Sequence, residues 1–174
     1  MTNQTNHINH TNHINHINKT AIITGASRGI GAAIAKKLAS CGYNLSLCCR
    51  NSSDRLKALA DELHCAYGIE VLCYTGNVGD FFFAKDMVTK TISHFGHIDV
   101  LINNAGISHI GLLSDMTPDE WNNIVAINLT GVFNFTKLVT PYMVADKCGR
   151  ILQISSVWGL SLIHISEPTR RSYI

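Results

Sequence analysis

Thr24-Gly25-Ala26-Ser27-Arg28-Gly29-Ile30-Gly31 follows the apolar run Ala21-Ile22-Ile23 and opens a segment whose apolar residues, Ile30, Ala33, Ile34 and Leu38, recur at helical spacing. A glycine-rich turn between a strand and a helix can bind phosphate for two reasons. N–H groups at a helix N-terminus lack intrahelical partners and carry partial positive charge, and glycines let an anion approach the backbone closely. The helix predicted over Gly29–Ser40 stops at Cys41-Gly42, a glycine stop signal. Beyond it strands and helices alternate. Strands are predicted over Ala21–Thr24, Asn44–Cys49, Glu70–Tyr74, Ile98–Ile102 and Arg150–Ser155, and helices over Asp54–Ala66, Phe82–Phe95 and a long zone from Pro118 to about Val144. Pro141 is expected to kink that last helix or end a turn locally. Near-continuous apolar strands separated by helices give a parallel sheet covered on both faces, and right-handed crossovers predict a doubly wound α/β sheet in the order 3-2-1-4-5.

Composition sets outer bounds. A chain of 174 residues with 46% hydrophobic and 15% charged residues is globular and long enough for one core. A formal charge of +2 argues against nucleic acid or an anionic membrane as the main partner. No apolar stretch in the sequence approaches the ~20 residues of a membrane span, and the N-terminus has no secretory h-region. A cytoplasmic location is expected. Six cysteines (Cys41, Cys48, Cys49, Cys65, Cys73, Cys148) show no CxxC spacing and sit mostly in apolar periodic segments. Buried free thiols are expected in preference to disulfides or a metal site.

Both ends depart from the pattern. Residues 1–18 form a low-complexity Asn/His/Ile repeat with His7, His10, His13 and His16 three apart. Imidazoles at that spacing could hold a transition metal weakly, but the repeat has too little apolar content to fold, and a disordered tail is expected with no metal site. Residues 161–174 carry no helical stripe and are interrupted by Pro168. The division expected is therefore a tail over 1–18, one folded domain over 19–160 and a foreign or unstructured tail over 161–174, which resembles translated adapter sequence.

Two further motifs sit at strand ends. Asn103-Asn104-Ala105-Gly106 directly follows the fourth strand, in the crevice where open parallel sheets bind ligands. Ile154-Ser155-Ser156-Val157-Trp158-Gly159 ends the fifth. The glycines 25, 29 and 31 follow GxxxGxG spacing, not GxGxxG.

With TGASRGIG, NNAG and the serine strand together, the region from Lys19 to Gly159 resembles the classical short-chain dehydrogenase/reductase family. That resemblance implies a Rossmann-type sheet with about five of the family's usual seven strands. It also implies a nicotinamide cofactor held by Gly25, Ser27, Arg28, Gly29, Ile30 and Gly31, with Asn104, Ala105 and Gly106 flanking adenosine and ribose. Asn77-Val78 stands where an Asp-Val pair touches adenine. An acidic residue at the end of the second strand would accept from a ribose 2′-hydroxyl and repel a 2′-phosphate. Here that place is Cys49, followed by Arg50-Asn51, with Arg28 in the glycine turn. Two guanidinium groups without a carboxylate favour a phosphate, so NADP(H) is expected.

The family reduces a carbonyl while a tyrosine donates the proton, a lysine lowers that tyrosine's pKa, a serine polarises the carbonyl and an asparagine supports a water relay. Ser156 matches the serine and Asn128, in Ile127-Asn128-Leu129-Thr130-Gly131, the asparagine. The tyrosine is expected about thirteen residues after the serine, at Thr169, and the lysine at Tyr173. A positioned general acid contributes ~10²–10⁴ in rate, and a threonine hydroxyl is too weak an acid to replace it. The chain is therefore expected to be an inactive, truncated piece of a ketone reductase. Val132, Phe133, Phe135, Leu138 and Met143 are then expected to lose part of their cover.

Three readings follow. The overall pattern resembles 3-oxoacyl-acyl-carrier-protein reductases, with a carbonyl substrate that can be carrier-bound and a homotetrameric or homodimeric parent. Trp158 resembles reductases acting on aminopentanone-modified elongation factor P. A non-catalytic NADP-binding module is the third.

Overall fold

The computed structural model describes residues 18–156. The histidine-bearing tail, Trp158, Thr169, Tyr173 and the segment 161–174 lie outside them. Five parallel strands form one sheet in the order β3-β2-β1-β4-β5: β1 Thr20–Thr24, β2 Asn44–Cys49, β3 Val71–Thr75, β4 Val100–Asn103 and β5 Arg150–Gln153. The predicted order holds. Strand register follows it, with Ala21 opposite both Leu45 and Val100.

Alternation along each strand divides the core in two, because successive side chains point to opposite faces. Ala21, Ile23, Leu45, Leu47 and Ile102 face α1 (Gly29–Ser40) and α2 (Ser53–Tyr67), where Ala35, Ala39, Leu56 and Leu63 cover them. Ile22, Cys48 and Leu101 face α3 (Phe81–Phe95) and α5 (Gly131–Ala145), under Met87, Val88, Phe135, Val139 and Met143. A buried hydroxyl pair, Ser46 Oγ and Thr91 Oγ1 at 2.7 Å, ties β2 to α3 within the second layer.

Three expectations need correction. Pro141 does not end its helix: α5 runs through it, with Pro141 and Lys137, whose carbonyl loses its partner, both exposed to solvent. The irregularity falls earlier, where a π-turn over Ala126–Thr130 joins α4 (Pro118–Val125) to α5. Phe135 and Met143 keep their cover, at 0% and 8% exposure, whereas Phe133 is exposed. The six cysteines are all free, but only Cys48 and Cys49 are buried, while Cys41, Cys65 and Cys148 lie on the surface.

The continuous helix Pro118–Ala145 also reaches, by length and a mean hydropathy of 1.2, the range of a membrane-crossing helix, which the sequence reading did not anticipate. Length and composition are met equally by core helices. This one lays Phe135 and Val139 against the sheet and leaves most of its apolar window outside the core.

Candidate functional site

Strand order reverses between β1 and β4, and the crevice at their C-terminal ends is the place where such sheets take ligands. A cleft of about 530 Å³ opens there. The turn from Gly25 to Ile30 forms one wall and residues 48–52 a second. Gly76, Asn77 and Val78 line the third side and Asn104–Ile107 the floor. Of the residues assigned to the cofactor from the sequence, Gly25, Ser27, Arg28, Gly29, Ile30, Arg50, Asn51, Asn77, Val78, Asn104, Ala105 and Gly106 all line it.

Gly31 does not line the cleft. It is buried behind the turn, where an added Cβ would stand 2.5 Å from the Gly25 carbonyl oxygen and 2.6 Å from Asn104 Nδ2. Gly29 is its opposite. Its φ of +57° lies in the left-handed region, and a Cβ there would meet no protein atom within 4 Å. Gly31 therefore lets the turn pack, and Gly29 leaves open space beside the turn.

Helix starts differ around this cleft. Asp80 caps α3 through the Phe82 N–H, and Thr117 with Glu120 forms a reciprocal capping box on α4. At α1 the N-cap is Arg28, no side chain caps the helix and its first turn holds no acidic residue. The donors of α1 thus point toward the cleft without a protein carboxylate competing for them.

Thr24, to which the sequence reading gave no role, knits the site together. Its Oγ1 accepts from the N–H groups of Asn104 and Ala105, both at 3.0 Å. In return Asn104 Nδ2 donates to the carbonyls of Thr24 (2.9 Å) and Gly25 (3.0 Å). Asn104 fixes the turn as well as lining the cleft. Asn134, also not anticipated, is buried and donates to the carbonyls of Val78 and Gly79, both at 3.2 Å. Its signal was a polar residue on the apolar face of α5, which side-chain periodicity alone reads as a break in the stripe.

Asn128 lies in the π-turn. Its Oδ1 accepts from the Ile107 N–H at 2.9 Å and its Nδ2 donates to the Ile107 carbonyl at 2.8 Å, so it holds the loop that passes Gly106. Ser156 leaves the sheet at the same edge, since Ile154 N–H donates to the Asn103 carbonyl at 2.9 Å, but it does not line the cleft.

The charge of the cleft is set by arginines. Burial pushes the Cys48 thiol up to about 12 despite a Gly25 N–H on its sulfur, and burial pushes Cys73, opposite Leu47 on the other face of the sheet, to about 11. Both stay neutral near pH 7. Arg28 and Arg50 are exposed at the rim. A second depression shares Arg28, Asn51 and Ser52 with the cleft and continues along Ser53, Asp54 and Arg55 at the start of α2. Arg55 was not anticipated. Among the described residues no group of three or more His, Cys, Asp or Glu could hold a metal ion.

The sequence profile of the short chain dehydrogenase family matches residues 19–166. The chain belongs to that family. It is similar to the 3-oxoacyl-[acyl-carrier-protein] reductase FabG of Staphylococcus epidermidis, 39% identical over 156 residues that make up 90% of this chain and 62% of the relative. The D-beta-hydroxybutyrate dehydrogenase of Cupriavidus necator is 38% identical over 156 residues, 90% of this chain and 58% of that one. Among solved structures, a metagenomic short-chain oxidoreductase in complex with NADP superposes with a TM-score of 0.78 at 37% identity, over 82% of this chain and 64% of that chain. The chain thus spans about six-tenths of the length of these short-chain dehydrogenase relatives.

Proposed function

We propose that this chain binds NADP(H) in the β1–β4 cleft and supplies the cofactor half of a ketone reductase of the 3-oxoacyl-acyl-carrier-protein reductase kind. The observation that carries the reading is the cleft itself, with an uncapped helix start beside a left-handed Gly29 and two arginines at the rim. The Gly25–Ile30 turn would hold the diphosphate through main-chain N–H groups. Val78 and Ala105 would flank the adenosine, with Asn104 holding the turn in register. Arg28 and Arg50 would take a 2′-phosphate. Cys49 offers no carboxylate to repel it, and the nearby Asp54 is outnumbered by Arg28, Arg50 and Arg55.

The nicotinamide would supply a hydride to a carbonyl carbon. Ser156 would donate to the carbonyl oxygen, and Asn128 would act through Ile107, holding the backbone beside the reacting region. The substrate class is a 3-oxo thioester, which can be presented by a carrier protein. A charge-assisted bond to a phosphate contributes about 1.5–3 kcal/mol, so NADPH should bind at least tenfold more tightly than NADH. Fluorescence titration with the two dinucleotides tests this, and equal affinities would overturn the NADP assignment.

A second reading is a binding module that holds NADPH without turning over a ketone. Measuring NADPH consumption with an acetoacetyl thioester, beside the binding titration, separates the two: binding with no consumption supports the module, and consumption supports the reductase.

A further inference from the structure

Arg50 makes one hydrogen bond among the described residues, and it reaches across the mouth of the cleft. Its Nη1 donates to Asn123 Oδ1 at 3.4 Å, joining the end of β2 to α4 over 73 positions of sequence. That bond is long, exposed, and uses one of five guanidinium N–H donors. The acceptor is a neutral amide, although α4 carries Asp119 and Glu120 two turns or less away. Glu120 is committed to Thr117 at the start of the helix, through both its N–H and its hydroxyl.

Asn123 sits on α4, none of whose residues is buried but whose two ends are fixed. Pro118 and the Thr117–Glu120 capping box fix the start of α4. At its far end the Ala126 carbonyl packs so closely on Gly79 that an added Cβ there would come within 2.7 Å. Asn134 in turn holds the Val78 and Gly79 carbonyls. The lip that carries Asn123 is therefore built against the same segment that walls the cleft.

We infer that Asn123 is a positioning residue for cofactor choice: its amide oxygen holds Arg50 at the cleft mouth through one N–H and leaves the other donors free for a 2′-phosphate. A neutral acceptor suits this task. It orders the guanidinium without neutralising it, so a phosphate still gains charge-assisted bonds, about twice as strong as neutral ones. A carboxylate at the same place would keep the arginine. The inference rests on the NADP(H) reading above and adds the residue that sets up its discrimination.

The test uses the full chain, with NADPH and NADH as probes, in the wild type and in an Arg50→Gln background. Asn123→Leu removes the acceptor and frees Arg50, and should weaken NADPH binding roughly threefold through lost pre-organisation while leaving NADH unchanged. Asn123→Asp should weaken NADPH on the order of tenfold, again sparing NADH, and the loss should shrink as salt screens the charge. In the Arg50→Gln background the Asn123→Leu effect should vanish, a coupling that a merely structural asparagine would not show. Equal losses for both dinucleotides, or an Asn123→Leu effect that persists without Arg50, would overturn the inference while leaving NADPH binding intact. Wild-type protein that fails to prefer NADPH would instead remove the cofactor reading, and this inference with it.

Discussion

Gly31→Ala and Gly29→Ala, two residues apart, should fail in different ways. A methyl group at Gly31 would lie 2.5 Å from the Gly25 oxygen, 2.6 Å from Asn104 Nδ2 and 3.0 Å from Ala26 Cα. Two of these neighbours are backbone and cannot swing aside. Overpacking of this kind costs about 1–3 kcal/mol. Displacing Asn104 also loosens its bonds to the Thr24 and Gly25 carbonyls, each contributing about 1 kcal/mol. Against this, alanine in place of glycine within a helix returns up to ~1 kcal/mol. The net loss is about 2 kcal/mol, which for a domain of this size lowers the melting temperature by roughly 4–8 °C. At Gly29 the methyl meets nothing, so only the left-handed backbone is strained, at about 1–2 kcal/mol. Its methyl does, however, occupy the approach to the turn, and NADPH affinity should fall at least tenfold. Urea unfolding with and without NADPH, together with fluorescence titration, measures both quantities. If Gly31→Ala proves as stable as wild type, or Gly29→Ala binds NADPH normally, the division of roles between the two glycines is wrong.

Thr24→Val keeps shape but leaves the N–H groups of Asn104 and Ala105 without an acceptor, so urea unfolding should show a loss of about 2–5 kcal/mol, largely restored in Thr24→Ser. Hydrogen bonds from the Thr117 N–H, then from its hydroxyl, hold the Glu120 carboxylate below its ordinary pKa, so its contribution is present above the unfolded value and lost as pH falls through the lower folded one. Acid unfolding of α4, followed by amide exchange, should therefore lose pH dependence in Glu120→Gln. The Cys48 thiol, raised by burial to about 12, works in the opposite sense: above the ordinary thiol pKa the unfolded chain ionises and the folded one does not. Stability should fall by about 1.4 kcal/mol per pH unit between roughly pH 9 and 11 on its account, and Cys48→Ala should remove that slope.

The sheet was readable because its signals are local. Apolar strands such as Leu45–Cys49 and the helix punctuation at Cys41-Gly42 depend on neighbours in sequence, and the topology followed from handedness. The cleft was readable for a related reason: strand order fixes which loops meet, so the glycine turn and Asn104–Gly106 had to converge. What escaped was long-range and side-chain mediated. Thr24 looks like the last residue of a strand until Asn104 and Ala105, 80 and 81 positions away, arrive at its hydroxyl. Asn134 and Asn123 behave in the same way. The expectation of a turn ended at Pro141 failed because a proline's cost depends on whether the orphaned carbonyl can reach water, and exposure is a property of the fold. The π-turn carries no composition signal at all, and it is what sets Asn128 against Ile107.

These hydrogen bonds also indicate where binding selectivity resides. Among the described residues no buried side-chain polar atom lacks a partner. Asn104, Asn128 and Asn134 spend amide groups on backbone carbonyls or N–H groups of the protein itself. A ligand entering the cleft therefore meets a wall whose shape is set before it arrives, with the ordering cost already met by folding. The groups left facing outward are of two kinds. Under the proposed function, main-chain donors at the start of α1 would recognise any diphosphate, whichever nucleotide carries it. The guanidinium groups of Arg28 and Arg50 would recognise an additional charge. Affinity for dinucleotides in general should thus depend on the glycine turn and its asparagine supports, and discrimination between them on the two arginines. Substitutions in the first set should weaken NADH and NADPH together, whereas Arg28→Gln and Arg50→Gln should weaken NADPH alone.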